Sequence, residues 1–297
     1  MKSGFIGLVG RPNVGKSTLI NAIIGRKVAI ISDKPQTTRN IIQGIRTDED
    51  SQMVFVDTPG IHKPKNRLGK ILNKQAYFTI DDVDVILLLV DITEPLGKGD
   101  MFVLDVLKKV TVPVILVINK IDKLPKEAIL GKIDEYKDLY NFDEIVPISA
   151  FKKDNVDRLV QIIKTKLTDN IKYYDENMYT SSSTNFMVSE LIREKILSLT
   201  HEEVPHSVSV VTESMEYNKN GVNIQATIVV DRENLKKILV GKNGSMIKEI
   251  GTKARGDIEA LLNRKVYLEL FVKVIPKWRD REKFLNEIGF KEFNFDK

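Results

Sequence analysis

The chain has 297 residues, 42% apolar and 29% charged, with no cysteine, three histidines and a net charge of +5. The lack of cysteine excludes disulfides and thiolate metal sites, and three histidines are too few to suggest a histidine-built metal centre. No run of about 18 apolar residues occurs, which excludes a membrane-spanning helix; the length favours two domains over one. The N-terminus, Met1-Lys2-Ser3-Gly4, has no apolar signal region, so a cytoplasmic location is expected.

Phe5-Ile6-Gly7-Leu8-Val9 is a short apolar run, predicted as a buried strand, and Thr18 to Gly25 as a helix closed by glycine. Between them lies Gly10-Arg11-Pro12-Asn13-Val14-Gly15-Lys16-Ser17, which fits the phosphate-loop template without a mismatch. Two glycines let the backbone turn its N–H groups toward a polyphosphate, and the helix N-terminus adds donors and positive potential. In that arrangement Lys16 reaches the outer phosphates and the Ser17 hydroxyl ligates Mg2+. The polar segment Ser32 to Asn40 is predicted as a loop. A threonine there completes the magnesium shell and senses the terminal phosphate. Thr38 is preferred to Thr37 by motif alignment.

Strand-like segments at Asn40 to Arg46 and Met53 to Val56 flank the acidic turn Thr47 to Ser51. The second ends in Asp57-Thr58-Pro59-Gly60. An aspartate at that strand end is placed to hold Mg2+ through water, and Gly60 to bring its N–H to the third phosphate. The polar stretch Ile61 to Lys70 is expected to order and disorder with that phosphate.

The apolar runs Asp84 to Asp91 and Val114 to Ile118 suit central strands of a parallel sheet covered on both faces, with a helix over Lys98 to Val110 between them. The alternation predicts a doubly wound α/β domain with ligands at the carboxyl ends of its strands. The second run ends in Asn119-Lys120-Ile121-Asp122. The Asp122 carboxylate accepts from the two adjacent donors that guanine presents and adenine lacks. Asn119 ties the base to neighbouring loops, and the Lys120 stem covers one face of the ring. A last strand, Glu144 to Ile148, leads to Ser149-Ala150-Phe151, where the Ala150 N–H is placed to reach the guanine oxygen. Val156 to Leu167 closes the domain as an amphipathic helix.

These motifs, in order and each at a strand end, resemble those of the translation-factor-related GTPases. The phosphate loop with Pro35-Gln36-Thr37-Thr38-Arg39 resembles the Era family in particular. The resemblance implies Mg2+-dependent hydrolysis of GTP to GDP, with nucleotide contacts at Gly10 through Ser17, Thr38, Asp57 to Gly60, Asn119 to Asp122, Ser149 and Ala150. The catalytic roles fall to Lys16, Thr38 and Gly60. Asn13 matches a position that helps bind K+ in related GTPases. One departure stands out. Ile61 occupies the place where Ras-like proteins carry a water-orienting glutamine, and isoleucine neither orients water nor carries a proton. Slow intrinsic turnover, raised by a partner, is the expectation.

Thr168 to Asn185, with two tyrosines and a Thr/Ser tract, is predicted as a linker whose tyrosines dock on one domain. Phe186 to Leu199 has helical spacing. Ser207 to Val211 and Val222 to Val230 suit two strands joined by a turn near Asn218 to Gly221. Leu235 to Val240, the loop Gly241-Lys242-Asn243-Gly244, Ser245 to Ile250 and a strand at Val266 to Val272 complete the order of an α+β type II KH module. Two glycines let the loop approach a sugar-phosphate chain, with Lys242, Asn243 and Lys248 around it. Ile238, Val240, Ile247 and Ile250 are expected to line a groove for unstacked bases, and Lys253, Arg255, Arg264 and Lys265 to extend the positive surface. The tail from Pro276 is predicted as a short helix packing Trp278, Leu285 and Ile288 on the second domain, and the histidines as ordinary surface or capping residues.

The expected organisation is a GTPase domain over 1–168, a linker over 169–185, a KH RNA-binding domain over 186–275 and a tail over 276–297. The Era resemblance implies binding to the 3′ end of small-subunit ribosomal RNA and a role in maturing the small ribosomal subunit, as a monomer without a DNA partner. Weak peripheral association with the cytoplasmic face of the membrane goes with that reading. The rivals are a membrane-associated signalling GTPase whose basic C-terminal domain meets anionic lipid, and a nucleotide-gated scaffold that hydrolyses too slowly to matter.

Overall fold

The two longest apolar runs lie side by side as central strands of one sheet, and everything that positions the nucleotide motifs follows from that pairing. The structure is a computed structural model that describes residues 1–34, 37–60, 64 and 66–290. It divides into two compact units, one of residues 1–65 and 69–181, the other of 66–68 and 182–297.

The first unit holds six strands: β1 (Lys2–Gly10), β2 (Ile42–Thr47), β3 (Ser51–Asp57), β4 (Val85–Asp91), β5 (Val114–Asn119) and β6 (Glu144–Pro147). Their order is β2-β3-β1-β4-β5-β6. All neighbours are parallel except β2 and β3, which form a hairpin across the predicted acidic turn. β4 and β5 are buried along their whole length, as strands covered on both faces must be. On one face, Ile86, Leu88 and Val90 join Val103, Leu104 and Leu107 of α3 (Lys98–Leu107) and Tyr136 of α4 (Lys126–Tyr136). On the other, α1 (Lys16–Ile24) packs with α5 (Val156–Lys166) and over β1 and β3. The chain leaves β1 toward β3 on one side and returns to β4 on the other. The topological switch point, where such sheets bind ligands, is therefore the carboxyl end of β1.

Two helices carry no assignment from the sequence. α2 (Arg67–Asp81) starts inside the stretch expected to be loop. Its buried positions Leu68, Ile71, Leu72, Gln75, Ala76, Thr79 and Ile80 keep helical spacing, but two of them are polar, which dilutes the apolar signal. α4 fully buries only Lys132 and Tyr136, with Ala128, Ile129 and Ile133 half-buried against the core, so its apolar face is narrow and interrupted by a buried lysine.

The stretch expected to be a linker divides instead. Residues 169–181 belong to the first unit. Ser3 pairs with Asp169, and Gln52 Oε1 accepts the N–H groups of Tyr173 and Tyr174 at 2.8 and 2.9 Å. Ile45 N–H donates to the Tyr179 carbonyl at 2.9 Å. The strap thus occupies the otherwise unpaired edge of β2, a place where free backbone groups would be costly. Tyr173 also packs edge-on against Phe5, with centroids 4.8 Å apart.

The second unit runs α6 (Thr184–Leu199), α7 (Val204–Ser207), β7 (Ser209–Asn218), β8 (Gly221–Val230), α8 (Glu233–Val240), α9 (Ser245–Leu262) and β9 (Val266–Val274), then α10 (Glu282–Glu287). The sheet order is β7-β8-β9, antiparallel then parallel. This is the α+β order expected. α6 starts two residues earlier than predicted because Ser183 Oγ accepts the Phe186 N–H and caps it. β7 is twice as long as the predicted strand and starts later. Its second half is exposed and polar, so alternation is weak there, and a bulge near Glu213 breaks the register. Val222, Ile224, Ala226, Ile228 and Val230 of β8 meet Ile250, Ala254 and Ile258 of α9 in one core. In the tail, Trp278 is fully buried and donates through Nε1 to the Ser207 carbonyl at 3.0 Å, and Leu285 is buried beside it. Ile288 is half-buried. His201 is exposed and His206 half-buried, while His62, Pro35, Gln36 and Ile61 lie outside the described residues.

Among the described residues no helix is long and apolar enough to cross a membrane.

Candidate nucleotide and RNA sites

Parallel pairing brings the motifs together. Leu8 pairs with Asp57, Gly10 with Leu89, Asp91 with Asn119, and Ile118 with Pro147. The carboxyl ends of β1, β3, β4, β5 and β6 therefore open into one crevice. A cavity of about 740 Å3 lies there, lined by Arg11 through Ser17, Thr38, Gly60 and Lys120 among others.

The phosphate loop leads into α1 through Gly15 at φ 99°. A Cβ on Gly15 would collide with Asn119 Nδ2, so glycine is required for both conformation and space. Lys16 is buried, its Nζ donating to the carbonyls of Gly10 and Arg11 at 3.3 and 3.2 Å. Burial pushes the Lys16 ammonium below its usual range, partly offset by Asp57. Burial likewise pushes the Asp57 carboxyl up, against Lys16 and two hydroxyls.

Those hydroxyls are the ones named from sequence. Ser17 Oγ donates to Asp57 Oδ2 at 2.7 Å, Thr38 Oγ1 donates to the same oxygen at 3.2 Å, and the two hydroxyls are 3.0 Å apart. Thr38 is buried in this cluster, whereas Thr37 Oγ1 turns to the Lys34 carbonyl at 2.7 Å. Asp57 Oδ1 is buried with no hydrogen-bond partner among the described residues. Two hydroxyls and a buried carboxylate with an oxygen to spare form a hard, all-oxygen donor set. That set fits Mg2+, which retains several waters. Thr58 and Pro59 are buried, and Thr58 Oγ1 bonds the Leu8 carbonyl at 3.0 Å, anchoring the loop rather than facing the cavity. A Cβ on Gly60 would lie 3.1 Å from Pro12 Cγ, so Gly60 passes directly over the phosphate loop.

The base-reading segment is knitted into the same crevice. Asn119 Nδ2 donates to the Val14 carbonyl at 2.8 Å, and its Oδ1 accepts the N–H groups of Lys120 and Ala150 at 2.8 and 3.0 Å. The Ala150 N–H is thus engaged by Asn119 here. Asp122 is exposed, with Oδ1 accepting Ser149 Oγ at 2.5 Å. Ile121 donates its N–H to the Ile148 carbonyl at 3.2 Å and so fixes the turn. Lys120 takes φ 66°, a costly conformation for a lysine. Its Nζ bonds Asp91 and the Asn13 carbonyl. Burial pushes the Asp91 carboxyl up, but its bonds from Lys120 and Thr93 outweigh this and leave it below the usual carboxylate range.

Sequence reasoning missed Asp91 and Thr93, which steady Lys120, and Ile30 to Asp33, which line the cavity. Asp91 had a signal, a carboxylate at a strand end in register with Asn119. Ile30 to Asp33 had none, because irregular chain carries no period. Asn13 Nδ2 donates to the Asp33 carbonyl at 2.6 Å, linking the phosphate loop to that segment.

In the second unit, Gly241 sits at φ 72° and Gly244 at φ 78°. A Cβ on Gly241 would lie 2.8 Å from Met246 N and Cβ, so the loop closes tightly onto α9. Lys242, Asn243 and Lys248 are exposed, as is Ile238, while Val240 and Ile247 are half-buried. Ile250 does not join them. It is fully buried in the core because it lies on the sheet-facing stripe with Ala254 and Ile258. Arg264 and Lys265 are also set apart. They follow the 18-residue α9, whose length separates them from the glycine loop by about 27 Å.

Residues 5–120 match the family described as 50S ribosome-binding GTPase, and residues 203–279 match the KH domain family. A crystal structure of a tyrosine-to-alanine variant of Aquifex aeolicus Era bound to GDP and AlF4− is similar at 42% identity, covering 98% of this chain and 100% of that one, with a TM-score of 0.95. Era in complex with MgGDPNP and nucleotides 1506–1542 of 16S ribosomal RNA is similar with the same identity, coverage and TM-score. With both units matched along their length and the nucleotide motifs at their strand ends, the chain belongs to the Era family of GTPases.

Proposed function

We propose that this protein hydrolyses GTP to GDP, binds the 3′ end of small-subunit ribosomal RNA and acts in maturation of the small ribosomal subunit. The observation that carries the GTPase half is the meeting of Ser17, Thr38 and Asp57 beside buried Lys16, in the crevice that Asn119 joins to the base-reading turn. The RNA half is supported by the glycine loop at 241–244, with Lys242 and Asn243 exposed, and by a full-length relative held with 16S ribosomal RNA. The family matched by residues 5–120 is described by the 50S subunit. The small subunit is preferred because the relative held with 16S RNA matches both units.

The residues act as follows. Asp122 accepts the two guanine donors, with its carboxylate steadied by Ser149. Asn119 couples that turn to the phosphate loop, and the Lys120 stem covers the base. The amides of the loop from Gly10 to Ser17 enclose the phosphates, and Lys16 carries its charge to the outer ones. Ser17, Thr38 and, through water, Asp57 would hold Mg2+, which when bound supplies neutralisation of the phosphate charge. Gly60 offers its N–H to the third phosphate. Asn13 would help hold K+, as the family resemblance implies. With isoleucine at position 61, positioning and electrostatics carry hydrolysis alone, so turnover is slow until a partner adds to them. Binding of the third phosphate at Thr38 and Gly60 biases RNA affinity at the glycine loop, and hydrolysis reverses that bias. The protein works in the cytoplasm as a monomer, with at most weak contact to the membrane face.

Crosslinking and sequencing of bound RNA in cells tests this, comparing the native chain with a Gly241→Asp, Gly244→Asp variant. Enrichment of the small-subunit 3′ end, lost in the variant, is expected. Enrichment of another RNA would move the substrate, and vesicle binding without RNA enrichment would favour the lipid reading. Rapid hydrolysis by the isolated protein would remove the need for an activating partner. Equal RNA affinity in the GTP and GDP states would remove the coupling.

A further inference from the structure

The phosphate loop is tethered on two sides, and only one belongs to the nucleotide motifs. On the base side, Asn119 and Lys120 bond the carbonyls of Val14 and Asn13 at 2.8 and 2.9 Å. On the other side, Arg11 reaches the first turn of α3. Its NH1 donates to Asp100 Oδ2 at 3.0 Å, and the same oxygen accepts the Gly97 N–H at 2.9 Å. The guanidinium stem lies flat on Gly99, where a Cβ would come within 3.2 Å of Arg11 Cδ. Asp100 is only 7% exposed. Tyr136 of α4 is buried and lines the same crevice as Arg11 and Asp100. Burial and the nearby Asp100 and Glu135 carboxylates push the Tyr136 hydroxyl above its ordinary range.

Arg11 matters for where its main chain lies. Its carbonyl accepts Lys16 Nζ at 3.2 Å, and the next residue, Pro12, is the one over which Gly60 passes. The groups expected at the third phosphate therefore rest on the backbone that Arg11 anchors. The amides at 15–17 and the base-reading turn are held separately, by Asn119 and Lys120.

We propose that Asp100 is a positioning residue for GTP hydrolysis, acting through Arg11 to fix the third-phosphate end of the site while leaving the diphosphate end unaffected. The inference rests on reading residues 10–17 as the GTP site. A bound GDP is indifferent to this tether and a bound GTP is not.

The test is steady-state hydrolysis together with separate affinities for GDP and a non-hydrolysable GTP analogue, on the full chain. Asp100→Asn keeps the acceptor for Gly97 and removes the charge. It should lower kcat about tenfold and analogue affinity several-fold, with GDP affinity within about twofold of wild type. Arg11→Ala should lower kcat and analogue affinity likewise, and the double variant no further than Arg11→Ala alone, since they share one interaction. Gly99→Ala keeps both charges but crowds the arginine stem, and should give a smaller loss of the same kind. Wild-type kcat in Asp100→Asn, equal losses of GDP and analogue affinity, or additive effects in the double variant would each overturn the proposal. If the wild-type chain itself bound no guanine nucleotide, the underlying site reading would have failed, and not the tether.

Discussion

Asp122 carries guanine recognition on a single carboxylate, and half of its support is already in place. Ser149 Oγ donates to Oδ1 at 2.5 Å, and the Ser149 loop is closed by paired backbone bonds to Asp154 at 3.1 and 3.0 Å. Replacing Asp122 with asparagine puts a donor opposite a guanine donor. The loss of charge-assisted bonds should weaken GDP by roughly 2–3 kcal/mol, about 30- to 150-fold. Xanthine carries an oxygen where guanine has its amine, so xanthosine nucleotides should gain as GDP loses. Competition binding with both nucleotides checks this, and an unchanged preference for guanine would remove Asp122 from base reading. The identities at this site were legible because each role demands one residue type. What the spacing left unseen was the company they keep. Ser17 and Thr38 share one oxygen of Asp57, and Asp91 steadies Lys120. Contacts between residues tens of positions apart have no signature in local pattern.

At the scale of elements, the tyrosines of the strap at 169–181 and Trp278 of the tail dock as expected from sequence, each held by buried contacts. Gln52 is fully buried and bonds three backbone groups of the strap through one side chain: the N–H groups of Tyr173 and Tyr174 and the Tyr174 carbonyl at 2.8 Å. Gln52→Ala should cost about 2–4 kcal/mol, because buried donors are left unpaired. Hydrogen exchange should then rise in the strap before it rises in β3. Uniform exchange along both would show that the strap is held by other contacts. Trp278 is the largest fully buried side chain among the described residues and stacks edge-on with Phe284 at 6.0 Å. Trp278→Ala should destabilise the second unit by about 3–5 kcal/mol through cavity formation. Denaturant unfolding followed by circular dichroism should show it, with GDP affinity at the first unit unchanged. The order of elements was legible from apolar runs and helical spacing. α2 and α4 were not, since both carry polar side chains on their buried faces, Gln75 and Thr79 in one and Lys132 in the other.

For the whole molecule, a charge of +5 on 297 residues is mild, and its placement counts for more than its sum. Several basic side chains are neutralised locally, as Lys253 is by Glu249 at 2.9 Å and Arg279 by Asp231 at 2.8 Å. RNA affinity should therefore depend on a small set of lysines near the glycine loop. Removing Lys242 should weaken every RNA ligand and reduce the slope of log affinity against log salt by about 0.7, the share of one phosphate contact on a single strand. Titrations at several salt concentrations decide this, and an unchanged slope would place Lys242 away from the backbone of the RNA.

The sequence alone determined that this chain holds a guanine nucleotide on a doubly wound sheet and carries a second module built around a glycine loop. Phosphate loops, base-reading turns and glycine loops work through backbone geometry, which only a few residue types permit at each position, so the chemistry is written in consecutive letters. The tertiary structure alone decided that the strap pairs along the edge of β2, that Ile250 belongs to the core, and that Arg11 is tied to Asp100. Each of those is a pairing between distant segments. Distance along the chain erases the local periodicity that reveals a helix or a strand, and only the folded sheet and its helices bring such partners within bonding reach.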